Sequence, residues 1–446
     1  MSEQRTLEIH LVLEISVPKE ATVFQALTVA FWRFQGLAAT TLFTAVLNAI
    51  QERARGEMEG RHPGRFRDKG HQERTWELPF GSVTLPLDKL VDRSTKRTVY
   101  PLKEAMDLPE RFKWDESTLL PGYRLAVLQS FRESNRAVEK TSPDGRAPHH
   151  STLHRRFQRF AERLDPTPNP TKCAGAEPTA YQQADGTKLA MQDHGKNAGK
   201  VDLRLVVGSR TPQDKLEVLD FSVGDAWETV AERLRDRFPE PPKVLVSDGE
   251  EEIPVALAGP DTRHQRCVVH ARRGLPFALY QDGIKKAYQE TWTEAFKDIP
   301  AMRLCQAEVN RLAQGDKEAL RSLLETSEQA FAALLEKLPR GFCPHTHQYV
   351  LGLIRDGLTY LRLLLEGGEA ILVSTNRTES LMSRLVLRLK RIGKRWSEDG
   401  AMNMLAAVLT TALHPESYEQ LEALIRGDDK PTVSILITSL TSAWAS

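Results

Sequence analysis

Three acidic residues, far apart in the chain, have the positions that a divalent-metal site requires. Asp185 lies within a strand-like run, Asp248 ends a second such run, and Glu379 lies in the first turn of a predicted helix. Ligands of open α/β sheets collect at the carboxyl ends of the strands, and a helix that crosses this edge can add a third carboxylate. We therefore expect the three side chains to converge.

Converged carboxylates predict a particular chemistry. Three oxygen donors suit Mg²⁺ or Mn²⁺, which keep water and substrate phosphate as their remaining ligands. Two such ions about 3.5 to 4 Å apart hold both the attacking and the leaving oxygen in a displacement at phosphorus. Asp185, Asp248 and Glu379 are therefore the predicted ligands of two metal ions. Each acid also has a structural explanation, because both aspartates precede a glycine, as in turns, and Glu379 stands three residues after Asn376, as in a capping box.

The elements that would position these acids alternate between strands and helices. Three strand-like runs precede an amphipathic helix, a short buried strand, a short helix, and a strand or helix, which is the order of an RNase H-like α/β domain. The runs are 180–189, 201–209, 216–223, 225–238 (helix), 243–246, and 267–273 for the last strand or helix.

The rest of the chain predicts further domains around this one. Three alternating prolines in 165–170 stiffen the chain and mark a boundary. Apolar residues at helical spacing fill the stretch from 282 to 368. The predicted organisation is an N-terminal α+β region (1–120), a helix-turn-helix-like DNA-binding segment (121–165), a catalytic domain (171–281 and 371–425), an all-helical insertion within it (282–370) and a tail (426–446).

Within the N-terminal region, alternation predicts a strand from Leu7 to Val17, and dense apolar residues predict one or two helices over 21–53. The basic stretch 61–75 is predicted to be a loop. A hairpin is predicted after it, with Trp76 in the first strand and a turn at Gly81-Ser82.

Residues 122–164 resemble a helix-turn-helix. A helix over 122–140 is followed by a break at 142–145 and a second helix over 153–164. The second helix places Phe157 and Phe160 for a core and Arg155, Arg156 and Arg159 for DNA phosphates. A solvent-exposed helix with ordinary aromatic packing is the alternative.

A second basic stretch follows Glu379. Arg384, Arg388, Arg391 and Arg395 repeat at helical spacing, which predicts a cationic helix face beside the metal site. We expect this face to follow a DNA backbone and Trp396 to wedge against or stack on a base. A core position for Trp396 is the alternative.

Several motifs, taken in order, resemble a known family. The chain contains DGTKL at 185–189, VSDGE at 246–250, RHQRCVVH at 263–270, TNRTES at 375–380 and LKRIGKRWS at 389–397 followed by Gly400-Ala401. This set, spread over about half of the chain with a helical block before the glutamate, resembles the Mutator-like superfamily of DDE transposases in its prokaryotic insertion-sequence branch. The resemblance implies that Asp185 and Asp248 are the paired aspartates and Glu379 the third metal ligand.

The family also carries a Cys-x-x-His pair, which Cys267 and His270 match. Two ligands do not close a tetrahedral zinc site. Cys343, His345 and His347 could supply the remainder, but we favour a pair beside the active site, with His270 near the scissile phosphate.

Composition limits the classes of protein. The 446 residues, of which 40% are hydrophobic and 27% charged, fit two or three folded domains and exclude long-range disorder. No run of about 18 apolar residues occurs, so we expect no membrane association and a cytoplasmic, nucleoid-associated protein. Four cysteines are too few for a disulfide framework. With a net charge of +1, DNA affinity must come from local clusters.

The predicted function is that of an insertion-sequence DNA transposase. It would bind terminal inverted repeats and target DNA as a homodimer or larger oligomer, and use Mg²⁺ or Mn²⁺ to cleave and transfer strands. One alternative is a structure-selective nuclease that uses the same carboxylates. Another is a catalytically inactive, DNA-binding regulator descended from a transposase. No Gly-rich phosphate loop or nucleophile elbow occurs, so ATP use and serine hydrolysis are not indicated.

Overall fold

The computed structural model describes residues 23–109, 112–142, 144–167, 180–192, 199–367, 370–392 and 395–426, with side chains from residue 34 onward. These residues form a mixed α/β structure with two sheets. The chain divides into two compact units, 1–157 with 419–446, and 158–418. The strand predicted at 7–17 and nearly all of the predicted tail lie outside the described residues.

No helix within these ranges is both long enough and apolar enough to cross a membrane.

The first unit begins with a long helix packed on a β-hairpin. The helix is α1 (Val23–Arg61), and the hairpin strands are β1 (Phe66–Leu78) and β2 (Gly81–Asp92). Leu47 of α1 is buried in the hairpin core, and the Gln51 side chain donates to Pro86 O and accepts from Asp88 N. Short elements β3 (Thr98–Val99) and α2 (Pro101–Ala105) follow.

This hairpin differs from the prediction in two ways. Leu78 pairs with Gly81, so the turn lies at 79–80 rather than at Gly81-Ser82. The prediction of a loop over 61–75 is wrong, because β1 begins at Phe66, which pairs with Asp92 of β2. This outer part of the ribbon has little apolar alternation to signal it, and side-chain ion pairs such as Arg65–Asp92 hold it.

Three helices follow in place of the two predicted. They are α3 (Glu116–Ala126), α4 (Phe131–Thr141) and α5 (His150–Ala161). The predicted helix over 122–140 is interrupted because Ser130 forms a capping box with Glu133 and starts a new helix. The ring of Phe157 lies 5.8 Å from that of Tyr123 and 5.4 Å from that of Phe131, so the predicted aromatic anchor packs against both preceding helices.

The second unit is built on a five-stranded sheet. In chain order its strands are β4 (Tyr181–Ala190), β5 (Lys200–Ser209), β6 (Glu217–Val223), β7 (Val244–Ser247) and β8 (Arg263–Arg266). The spatial order is β6-β5-β4-β7-β8. Strand β5 is antiparallel to its neighbours β4 and β6, whereas β4, β7 and β8 are parallel to one another. Parallel neighbours place their carboxyl ends at one edge of the sheet.

Helices cover both faces of this sheet. On one face, α6 (Trp227–Arg237) and α7 (Glu252–Leu257) bury Trp227 and Ile253 against the strands. On the other, β7 shares a large apolar core with α8 (Val268–Gln281) and the helices after it. Those helices are α9 (Lys286–Lys297), α10 (Pro300–Arg303), α11 (Gln306–Leu312), α12 (Lys317–Lys337), α13 (Pro344–Asp356) and α14 (Thr359–Leu365).

The chain then returns to the sheet. Helix α15 (Asn376–Val386) continues directly into a π-helical segment, Leu387–Ile392, and α16 (Glu398–Leu413) and α17 (Pro415–Arg426) follow. The Thr378 hydroxyl on α15 donates to Gln183 Oε1 on β4 at 2.7 Å, so α15 lies against the strand that carries Asp185.

Candidate active site

The two aspartates lie side by side at the point where β7 ends next to its parallel neighbour β4. Ala184 of β4 pairs with Ser247 of β7 in the parallel register, and the next residues along the chain are Asp185, within β4, and Asp248, just after β7. Adjacent strands lie about 4.8 Å apart, so the two backbones are close at this point. The turn after Asp248 is also present, since its carboxylate accepts from Glu250 N at 3.0 Å.

Glu379 reaches this point of the sheet from α15. Its carboxylate lies 3.5 Å from His270 Nδ1 and 3.4 Å from Arg273 Nη1, both on α8. It does not form the capping box considered from the sequence, because the helix is capped at Thr375 and the glutamate side chain points to α8. The first turns of α8 and α15 therefore meet at the same edge as the aspartates.

Electrostatic coupling links all three acids. Asp185 is only 7% exposed, and Gly186 N donates to its carboxylate at 2.8 Å. Burial and the negative charge of Asp248 raise the pKa of Asp185 to about 6, Glu379 adds to the increase, and His270 opposes it. The carboxylates thus repel one another in the absence of a cation.

Cys267 and His270 form a hydrogen-bonded pair beside the acids. Thr375 donates to the fully buried Cys267 Sγ from its backbone N at 3.3 Å and from its hydroxyl at 3.4 Å. Burial alone would raise the pKa of Cys267, but hydrogen bonds from His270 and Thr375 outweigh it and lower that pKa. The hydrogen bond with Cys267 and the negative charges of Cys267, Glu379 and Asp185 raise the pKa of His270 to about 9.

The donors at this edge fit a divalent cation. Glu379 Oε1 is buried and accepts no hydrogen bond within the described part of the chain. Asp185 is buried next to a second aspartate with no arginine or lysine ion pair in the described residues. Two neighbouring aspartates, beside a glutamate that also contacts His270 and Arg273, form an oxygen-rich environment of the kind that Mg²⁺ or Mn²⁺ prefers.

Cys343, His345 and His347 do not complete a metal site with Cys267 and His270. In the described ranges, the only three His, Cys, Asp or Glu side chains with ligand atoms within 4.8 Å of one another are Cys267, His270 and Glu379. His347 Nδ1 lies instead 3.2 Å from Leu338 O. The four-ligand zinc alternative therefore has no support, and the pair lies beside the acids.

The basic stretch after Glu379 is not one continuous exposed face. Arg384, Arg391 and Arg395 are exposed, but Arg388 is 3% exposed with its guanidinium 5.1 Å from the Trp396 ring. Trp396 is 6% exposed and donates from Nε1 to Leu389 O at 2.9 Å. The expectation that Trp396 meets a base and that Arg388 shares the exposed face is therefore wrong.

The π-helical segment explains why Arg388 is buried and not on the exposed face. Its hydrogen bonds run from i to i+5, so spacing that aligns residues on an α-helix no longer aligns them here. Arg388 is turned inward, and burial lowers its pKa to about 10.

The three arginines predicted to contact DNA from α5 have different surroundings. Arg155 and Arg159 are exposed, whereas Arg156 is half-buried and pairs with Glu116 at 2.7 Å. Two of the three are thus available for phosphates, and Arg156 holds α5 to α3.

Two cations, Arg273 and Lys390, were not assigned to this site from the sequence. Arg273, 65% exposed, contacts Glu379, and the Lys390 ammonium donates to the hydroxyl of Thr187, two residues after Asp185. Arg273 stands three residues after His270, so helical spacing in 267–273 could have identified it. Lys390 belongs to the π-helical segment, whose geometry was not predicted.

Comparison with solved structures finds a weak likeness to a transposase complex. The chain is similar to the solved structure described as the Drosophila P element transposase strand transfer complex, with a TM-score of 0.37 and 10% sequence identity over 68% of this chain and 94% of that chain. Likeness at this level defines neither the fold nor the function. No protein-family model matches the sequence, and no curated protein matches it.

Proposed function

We propose that this protein is a DNA transposase of an insertion sequence, of the Mutator-like kind that its motifs resemble. The proposal is supported by the neighbouring positions of Asp185 on β4 and Asp248 after β7, and by the charge of Asp248 and Glu379 that raises the pKa of Asp185. The sheet order β6-β5-β4-β7-β8, with the acids on β4, after β7 and on a later helix, supports an RNase H-like catalytic domain.

The three carboxylates are the residues that would hold Mg²⁺ or Mn²⁺. When bound, two such ions would neutralise charge on the phosphate and activate the attacking oxygen. The chain's own contribution is to position the carboxylates. Thr378 ties α15 to β4 through Gln183, and the register of β4 with β7 places the aspartates together.

His270 and Arg273 add positive charge beside Glu379. With its pKa raised to about 9, His270 holds a proton at neutral pH, and Arg273 is exposed at the same helix face. Both can donate to oxygens of a phosphate that approaches the acids. Cys267 is fully buried and engaged by Thr375, so it positions His270 rather than attacking DNA. Cleavage and joining are then both in-line displacements at phosphorus without a protein–DNA bond.

The remaining parts of the proposal concern DNA and assembly. Arg155 and Arg159 would contact phosphates of the terminal inverted repeats, and Arg384, Arg391 and Arg395 those of DNA near the acids. Transposition joins two ends to one target, so we propose that the protein acts as a homodimer or larger oligomer on DNA.

A strand-transfer assay tests the proposed function. Purified protein, Mg²⁺, a duplex with the sequence flanking the gene and an exposed 3′-hydroxyl, and a supercoiled plasmid are mixed, and joined products are sequenced. Products in which two ends are joined to opposite target strands at staggered positions are expected, provided that inverted repeats flank the gene. Cleavage without joining would instead indicate a nuclease, and DNA binding without either reaction an inactive regulator.

Two neighbouring arginines of the basic stretch after Glu379 should respond differently to substitution, because Arg391 is exposed and Arg388 is buried. Arg391→Ala should weaken DNA binding several-fold and reduce the slope of log K against log salt by about 0.9, because one phosphate contact is lost. Arg388→Ala should leave that slope unchanged but lower the free energy of unfolding by about 1–3 kcal/mol, because a buried side chain packed on Trp396 is removed. Binding titrations at several salt concentrations and thermal unfolding measure both. The reverse pattern would mean that the exposed face has been misassigned.

A further inference from the structure

A cavity of about 800 Å³ opens immediately beyond Asp248, and an arginine without a charged partner lines it. Its walls come from the turn after β7, from α7 and α8, and from α13. Gly249 is the residue after Asp248, so the cavity adjoins the candidate active site. Arg266, at the end of β8, is the residue of interest.

Arg266 lies on the strand next to β7, close to the acids in the sheet register. Ser247 pairs with Ala184 on one side and with Arg266 on the other. Arg266 is thus level with Ser247 at the end of β8, whereas Asp185, within β4, and Asp248, just after β7, each stand one residue further along. Successive strands are about 4.8 Å apart, so the Arg266 backbone lies one strand beyond that of Ser247 and Asp248.

The position of the Arg266 side chain is held by packing. Its guanidinium lies 4.3 Å from the centre of the Tyr349 ring, and the Tyr349 hydroxyl donates to Ala271 O at 2.7 Å. A Cβ at Gly249 would lie 2.2 Å from Arg266 Nε, and one at Gly352 would lie 3.6 Å from Nη1. The arginine therefore occupies a slot between two glycines, at the first of which φ is +106°.

The charge of Arg266 is not compensated. Its side chain makes no hydrogen bond or ion pair with the residues that the structure describes, and its Nε is buried without a partner. Its cationic neighbours are paired, since Arg355 donates to both oxygens of Asp356 at 2.6 and 2.8 Å and His264 lies 3.6 Å from the same carboxylate. A partly buried, unpaired cation is costly to the folded state.

The ligand of this site has to be an anion that binds locally. Glu250 and Glu251 also line the cavity, so the cavity as a whole does not attract anions, and recognition depends on direct contact with Arg266. A stacked guanidinium presents its remaining N–H groups in a planar fork that matches phosphate oxygens.

We propose that Arg266 binds a DNA phosphodiester adjacent to the one that the three acids hold. The proposal rests on the proposed function, because it takes the strand at the acids to be DNA. Arg266 would fix the strand beyond the scissile phosphate and so set which phosphate reaches Asp185 and Asp248. It is a positioning residue for that phosphate.

Binding measurements in EDTA test this inference without any reaction. Arg266→Ala should weaken binding of a duplex from the gene flank about tenfold. It should also reduce the slope of log K against log salt concentration by about 0.9. Arg266→Lys should keep the slope but lose part of the affinity, because the planar fork is gone. Arg263→Ala is the matched control, since Arg263 lies on the same strand and pairs with Glu366 at 3.3 Å. Wild-type affinity and slope for Arg266→Ala would overturn the proposal.

A footprint on the unaltered protein removes any dependence on how the variants fold. Phenylglyoxal should modify Arg266 in the free protein, and the flanking duplex should protect it, as read by mass spectrometry of the peptides. Equal modification with and without DNA would refute the site, as would protection by inorganic phosphate but not by DNA. Protection of Arg266 by DNA does not depend on cleavage by the three acids. The phosphate site at Arg266 and the proposed transposase function can therefore be refuted independently.

Discussion

Replacing Asp185 or Asp248 with asparagine is expected to lower the rate of Mg²⁺-dependent DNA cleavage by at least about 10³-fold, which corresponds to about 4 kcal/mol of activation free energy. Asparagine has nearly the shape of aspartate but offers one neutral oxygen in place of a charged carboxylate. The loss therefore falls on metal binding, while the packing of β4 against β7 is retained. Nicking of a labelled duplex under single-turnover conditions measures the rate.

A DNA-binding measurement shows whether these variants lose cleavage alone or DNA affinity as well. Binding in EDTA should stay within about threefold of wild type, because no phosphate contact is removed. Asp202→Asn is a suitable control, since it makes the same change at a half-exposed aspartate on β5, next to β4. Cleavage by either active-site variant within tenfold of wild type would rule out that aspartate as a metal ligand.

Much of the sheet of the second unit could be predicted from the sequence because its strands are buried and apolar. The runs predicted at 180–189, 201–209 and 216–223 each lie within one residue of β4, β5 and β6 at both ends. Strand β8 was missed because Arg263-His264-Gln265-Arg266 has no apolar side chain. Gln265 is nevertheless fully buried, and its amide bonds to Gly357 O and Tyr360 N, contacts that only the folded chain supplies.

The placement of Asp185 within a strand, Asp248 after a strand and Glu379 in the first turn of a helix could be predicted, because such placement is a local property of the sequence. The surroundings of the acids could not. Contact between Arg273 and Glu379 joins residues 106 positions apart, and the inward turn of Arg388 depends on a π-helical segment that no local pattern signalled. Arg266 illustrates the same limit, since its unpaired state follows from which residues surround it in space.

Asp185→Asn should also stabilise the metal-free protein, and this effect should depend on pH. The folded-state pKa of Asp185 is about 6 against an ordinary value of 3.8, so the folded state prefers the protonated form. No cost arises below about pH 4, where this carboxyl group is protonated in both states. As pH rises from about 4 to about 6 the folded state loses up to about 3 kcal/mol relative to the unfolded state, and above this range the loss stays constant.

Asparagine removes this cost, so in EDTA the variant should melt several degrees above wild type at pH 7.5 and at the same temperature near pH 4. Adding Mg²⁺ should raise the melting temperature of the wild type more than that of the variant, because bound cation relieves the same repulsion. Asp202→Asn should show neither effect. A variant no more stable than wild type at pH 7.5 would mean that Asp185 does not bear the repulsion of the other acids. If Asp185→Asn both stabilises the protein in EDTA and abolishes cleavage, the charge of Asp185 is kept at a cost in stability because it binds a cation.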